Sequence, residues 1–175
     1  MTAERAAGAL ALDVVELRRG PGVRRSVDTV VDLDGLTVGD RRVVGGRVRV
    51  DLEIEVVGDD LVVDGRLGMV TRVPCRRCLE DVDEEAEVVV REIFESDPTD
   101  GETWPITDER IDLEPVVREA ALLALPLVPL CRDDCVGPEP ERFPTGPTDA
   151  PDPTELATDP PRDPRWAALD DLDLG

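Results

Sequence analysis

The chain of 175 residues carries 41 acidic against 20 basic residues, a net charge of −21. Every basic residue is arginine; histidine, lysine and tyrosine do not occur, which excludes histidine-based triads, Schiff-base chemistry, lysine-dependent phosphate loops and histidine metal ligands. The aromatic residues are Phe94, Trp104, Phe143 and Trp166, too few for a sheet on which nucleic-acid bases stack.

The length fits one domain with a tail. A hydrophobic content of 41%, mainly Val, Leu and Ala, supplies a modest core, while 16 prolines and 35% charged residues leave part of the chain unpacked. Charge is uneven along the chain. Residues 1–79 hold 13 acids and 13 arginines, whereas residues 80–175 hold 28 acids against 7 arginines. The second half therefore repels phosphate backbones, and any RNA contact belongs to the arginines of the first. The plainer reading of those arginines is a solvated strand face balanced by neighbouring acids. The segment Met1 to Asp13 lacks the basic start and long apolar run of a signal peptide. No stretch reaches the length of a membrane span, so a soluble cytoplasmic protein is expected.

In chain order, Leu10 to Leu17 reads as a first strand, followed by a turn at Arg18-Arg-Gly-Pro-Gly22. Ser26 to Leu36 reads as a weaker edge segment. From Arg47 to Val57 aliphatic and charged residues alternate strictly, the pattern of a half-buried antiparallel strand. After a hairpin loop at Gly58-Asp59-Asp60 the alternation returns through Leu61, Val63, Leu67 and Met69, with Gly65 and Gly68 marking a bulge or a close backbone approach. Val82 to Phe94 completes a three-strand meander.

Ser96 to Glu109, polar and acidic, reads as a mobile loop anchored by Trp104. Asp112 is placed to cap a helix from Leu113 to Leu125, with Pro115 in its first turn and an apolar stripe widened by Leu122, Leu123 and Leu125. Pro126 and Pro129 stop that helix. The expected fold is α+β: an antiparallel meander sheet or partial barrel packed by one core helix, spanning residues 1–135. Residues 136–162 read as an acidic, proline-rich disordered linker. Residues 163–175 read as a short helix in which Trp166 and Leu169 dock onto the domain or a partner.

All four cysteines fall in two pairs, Cys75-Arg-Arg-Cys78 and Cys131-Arg-Asp-Asp-Cys135. In a reducing compartment such pairs read as metal ligands or redox thiols rather than disulfides. Two short-spaced pairs can grip one zinc ion from two sides, and the first sits at a strand-to-strand turn, as in zinc knuckles. Cys75, Cys78, Cys131 and Cys135 are accordingly the candidate zinc ligands. Two other readings stand beside this one: four reduced thiols packed as small hydrophobes, or a redox pair whose pKa is lowered by Arg76 and Arg77. Arg72, Arg76 and Arg77 are candidate phosphate contacts, set against surface pairing with Glu80, Asp81 or Asp83.

Taken together, Cys75-Arg-Arg-Cys-Leu79, Glu92-Ile-Phe94, Ile111-Asp-Leu-Glu-Pro115, Leu123-Ala-Leu-Pro-Leu127, the second cysteine pair and Asp163-Pro-Arg-Trp-Ala-Ala-Leu169 resemble the YceD-type large ribosomal RNA subunit accumulation family. The resemblance spans roughly Asp13 to Leu172. It implies a non-enzymatic protein of bacteria and plastids, active in synthesis, processing or stability of the large-subunit ribosomal RNA. It implies ribosomal proteins or a pre-ribosomal particle as partners, limited direct rRNA contact and no small-molecule substrate. Members of a related branch carry further cysteines after the second pair, where this chain has Glu139 and Arg142. If the ion is held by those later cysteines, half the site is missing; if it is held by the two pairs present, the site is whole. Two further readings remain: a zinc-stabilised acidic module that binds cationic protein partners without touching RNA, and a thiol oxidoreductase.

Overall fold

The computed structural model describes residues 10–20 and 22–142. Its centre is an antiparallel meander of three long strands, β4 (Arg41–Val57), β5 (Asp60–Pro74) and β6 (Asp81–Glu95). Val48, Val50, Leu52 and Ile54 are buried, while Arg47, Arg49, Asp51 and Glu53 between them are exposed, so the alternation seen in the sequence becomes one core face and one wet face. Register carries the core across the sheet: Val50 lies opposite Leu67, Ile54 opposite Val63, and Leu61 opposite Phe94. Strand β2 (Arg24–Asp32) extends the sheet beyond β4, the short β3 (Thr37–Val38) pairs with the start of β4, and β7 (Trp104–Pro105) lies parallel to the end of β6. The order is β2-β4-β5-β6-β7. This sheet is open, so of the two expected forms the meander sheet stands and a closing barrel does not.

A second, two-stranded sheet pairs β1 (Ala11–Asp13) with β8 (Arg110–Asp112). Here the expectation of one strand from Leu10 to Leu17 is corrected, because the chain turns after Asp13 into a short helix, α1 (Val15–Arg19). Val14 and Leu17 are three residues apart and both buried, a helical spacing. The Asp13 carboxylate accepts from the Val15 N–H at 3.0 Å, and Arg18 and Arg19 sit at the helix end that favours cations.

The main helix, α2 (Glu114–Leu123), starts one residue later and ends two residues earlier than expected. Asp112 does accept from a first-turn N–H, that of Glu114 at 2.9 Å, from one position before the N-cap Leu113. Val116, Val117 and Ala121 are buried against the sheet, whereas Leu123 is 78% exposed and lies off the stripe. The acidic segment before the helix is tied down rather than loose. Trp104 Nε1 donates to Glu92 at 2.9 Å, its ring lies 6.4 Å from that of Phe94, and the Ile106 N–H donates to the Glu95 carbonyl at 2.8 Å.

The bulge expected at Gly65 or Gly68 occurs in β4 instead, where the register shifts between Val43 and Val48. Gly45 and Gly46 take φ of 63° and 65° there, and a Cβ on Gly46 would stand 2.1 Å from the Leu33 carbonyl oxygen. Gly65 is a close approach: at φ 155° its missing Cβ leaves room for the Asp51 carbonyl oxygen, which would otherwise lie 2.2 Å away. Gly68 is neither, its nearest neighbour being Arg49 Cβ at 4.0 Å. Of the tail, residues 136–142 are described, but most of the expected linker and the whole docking helix with Trp166 and Leu169 lie outside the described residues.

These two glycines separate a steric demand from a tolerated one. Gly65→Ala is expected to destabilise the fold by about 2–4 kcal/mol, since backbone on β4 must move, whereas Gly68→Ala changes stability by less than about 1 kcal/mol. Urea unfolding midpoints of the two variants give the comparison.

Candidate metal centre

The site is made where β5 hands over to β6. Between Pro74 and Asp81 the chain folds into a knuckle. The Cys75 N–H donates to the Glu80 carbonyl at 2.8 Å, the Leu79 N–H donates to the Cys75 carbonyl at 2.9 Å, and Leu79 turns the chain back at φ 65°. The Arg77 N–H points at Cys75 Sγ from 3.4 Å, a donor that favours thiolate. The second pair arrives from α2 through Pro126 and Pro129. Three bonds join the segments: the Arg76 N–H donates to the Pro129 carbonyl at 3.0 Å, and the Arg77 guanidinium donates to the carbonyls of Asp133 at 3.2 Å and Cys135 at 2.6 Å.

Cys75 Sγ lies 3.8 Å from Cys135 Sγ, Cys78 Sγ lies 3.6 Å from Cys131 Sγ, and all four sulfurs lie within 4.8 Å of one another. These are free thiols, far beyond a disulfide length of about 2.05 Å. Four sulfurs at about 2.3 Å from a tetrahedral zinc stand about 3.8 Å apart, so the residues present fit such an ion. Cys75 and Cys135 are buried, Cys78 is half-buried and Cys131 is exposed, leaving one side of the cluster open to solvent. The set is complete without further cysteines; Arg142 and Glu139 form an ion pair at 3.5 Å.

The thiols respond unequally to their crowding. Cys75 is lowered to about 6, chiefly by backbone N–H groups of Cys78 and Cys131, with Arg77 adding to them against the cost of burial. Cys131 is pushed up to about 12 by its hydrogen bond with Cys135, by burial, and by Cys78 and Cys75. Close thiols resist ionising together, and a cation in their midst relieves that repulsion. The arrangement suits a redox pair poorly. The low-pKa thiol is buried and the C-x-x-C lies in a strand-to-strand turn rather than at a helix start, while solvent reaches the cluster at Cys78 and Cys131.

Of the three candidate phosphate contacts, two are engaged within the fold. Arg72 makes a two-pronged pair with Asp83, which holds that carboxyl below its usual range. Arg77 is taken up by the carbonyls of the second cysteine segment, a strapping role with no sequence signal, because a guanidinium bonds any carbonyl that folding brings near. Arg76 is exposed, and its side chain has no partner among the described residues. The same pairing runs over the wet face of the sheet: Arg24 with Glu53 and Glu55, Arg66 with Glu87, and Arg42 with Asp81.

An open, strand-rich α+β sheet whose meander turn and post-helix segment close four thiols on one point defines a small cysteine-clamp domain. The comparisons place it further: the chain belongs to the YceD family, whose model, described as large ribosomal RNA subunit accumulation protein YceD, matches residues 63–173. An uncharacterized Mycobacterium tuberculosis protein is 31% identical over 187 residues, covering 96% of this chain and 84% of the relative. An uncharacterized Mycobacterium leprae protein is 30% identical over 136 residues, 71% of this chain and 62% of the relative. The uncharacterized Bacillus subtilis protein YlbN is 28% identical over 130 residues, 69% of this chain and 73% of the relative. No solved structure gives a significant match.

Replacing the strap tests its weight. Arg77→Ala removes two charge-assisted bonds and is expected to cost about 1–3 kcal/mol, while Arg76→Ala stays within about 0.5 kcal/mol. Thermal or urea denaturation of the two variants side by side reads the difference.

Proposed function

We propose that this protein is a non-enzymatic accessory factor in the synthesis, processing or stability of large-subunit ribosomal RNA, working in the cytoplasm with a structural zinc at Cys75, Cys78, Cys131 and Cys135. Membership of the family described by large ribosomal RNA accumulation carries the ribosomal part. The four-sulfur cluster carries the metal part: four protein ligands leave no open coordination position, the mark of a structural rather than a catalytic site. When bound, zinc supplies a rigid link between the knuckle and the segment after α2. The chain's own residues contribute the thiolates, the N–H groups aimed at them and the Arg77 strap. No helix among the described residues is long and apolar enough to cross a membrane.

The partners follow from charge. A net charge of −21 and a sheet whose arginines mostly face their own acids favour ribosomal proteins or a pre-ribosomal particle over a broad grip on rRNA. Of the three arginines beside the clamp, Arg76 is the one left to touch rRNA, while on the wet face Arg47 and Arg49 are exposed and carry no ion pair among the described residues. The pairing of arginines with acids is also the specific observation behind a second reading, in which the domain is a zinc-stabilised acidic module that binds cationic proteins and never touches RNA.

Two measurements test the proposal. Elemental analysis of protein purified without chelator is expected to find about one zinc per chain; less than about half an ion per chain sinks the metal claim. Sedimentation with ribosomal particles over a range of salt is expected to place the protein with large-subunit precursors, and absence from every ribosomal fraction removes the ribosomal claim. In the same assay, Arg76→Ala flattens the salt dependence by about one unit of slope if phosphate is touched. An unchanged slope selects the second reading.

A further inference from the structure

The sheet is unfinished along β6. Among the described residues, β7 pairs only with Phe94 and Glu95, at the end of β6, so the strand from Asp81 to Arg91 has a ladder partner on the β5 side alone. Two hydrogen bonds fix which backbone groups face the vacant side. The Thr71 hydroxyl, on β5, donates to the Glu84 carbonyl at 3.2 Å, while the Ile106 N–H, next to β7, donates to the Glu95 carbonyl at 2.8 Å. Backbone direction alternates along a strand, so the odd-numbered residues from Asp81 to Arg91 present their N–H and C=O groups to the vacant side. Such a row is a template for one more strand.

The side chains along this row say what kind of strand fits. Its first half is acidic: Asp81, Asp83, Glu84, Glu85 and Glu87. Asp81, Asp83 and Glu87 face Arg42, Arg72 and Arg66 of their own sheet, whereas the Glu85 carboxylate on the same wet face has no partner among the described residues; Glu84 lies on the opposite face. The second half sets two exposed aliphatics on the wet face, Val89 at 68% and Ile93 at 40%, on either side of the exposed Arg91. Acids alone would merely guard the edge against pairing. An acidic stretch continuing into exposed aliphatics instead matches an occupant that is cationic at one end and apolar at the other.

We propose that β6 receives an extended, arginine- or lysine-rich segment of a partner protein by strand addition. The partner's backbone completes the ladder at the odd-numbered residues, its cationic side chains lie on the wet face against Glu85, between Asp83 and Glu87, and its apolar residues on the same face cover Val89 and Ile93. This interface rests on the sheet alone and holds or fails independently of the ribosomal and zinc readings.

The test uses the full-length protein and a synthetic peptide of about ten residues, the length of a long natural strand, with arginines alternating with threonine in one half and valines alternating with threonine in the other. A second peptide is N-methylated at every other residue, which removes the ladder donors. The unmodified peptide is expected to slow amide hydrogen exchange at Asp83, Glu85, Glu87, Val89 and Arg91. Its affinity falls about tenfold between low and high salt and by a similar factor in the variant Glu85→Lys, whose fold is checked by circular dichroism. Four results overturn the proposal: no binding, protection confined to another part of the sheet, equal affinity for the N-methylated peptide, or slow exchange at these amides in the free protein. In the last case, sedimentation separates a second copy of the chain from the chain's own tail as the occupant.

Discussion

Everything in this fold that bears on function depends on one closure: residues 75–78 and 131–135 meet although more than fifty positions separate them. Bringing such remote points of a chain together costs about 4 kcal/mol of loop entropy. The backbone and guanidinium bonds between the two segments, at about 1 kcal/mol each or somewhat more for the charged ones, offset that cost only in part or narrowly. A structural zinc, binding with about 10–16 kcal/mol, would exceed it several-fold. The sheet and α2 bring the sulfurs near; an ion held by all four would make their meeting durable.

The division of labour between core and surface follows from the same arrangement. The buried aliphatic face, with Val48, Val50, Leu52 and Leu67 at its centre, is generic and would serve any α+β domain. Particularity lies in the wet face, where acids meet arginines in cross-strand pairs. Exposed pairs of this kind contribute little stability. Their effect is to cancel positive potential locally, leaving a protein that is neutral in its first half and strongly negative in its second.

Much of this was legible before the coordinates. Strict alternation in β4 and β5 fixed strand, face and register, because period two has no helical imitation over ten residues. The grouping of every cysteine into two close-spaced pairs pointed to one site. Other features were hidden for physical reasons. Leu10, Leu12 and Val14 fit a strand's period of two, and only the three-residue step from Val14 to Leu17 and the turn after Asp13 show where the helix begins. Gly45-Gly46 and Gly65 are all glycines near strands, but which one bulges and which admits a neighbouring carbonyl depends on a partner strand the local sequence does not display. Arg72 and Arg77 look alike beside the cysteines; one pairs with a carboxylate across the sheet and the other with carbonyls from a distant segment, a distinction set by tertiary structure alone.

The order of the cysteines along the chain has a consequence for biosynthesis. On a nascent chain the meander and its Cys75-Cys78 knuckle emerge first, with half of the ligands and no partner for them; Cys135 follows only after the core helix is out. The four-sulfur cluster is thus incomplete until nearly the entire domain has left the exit tunnel, and a chain truncated before residue 131 would carry only the two thiols of the knuckle, a stub with weak hold on any ion.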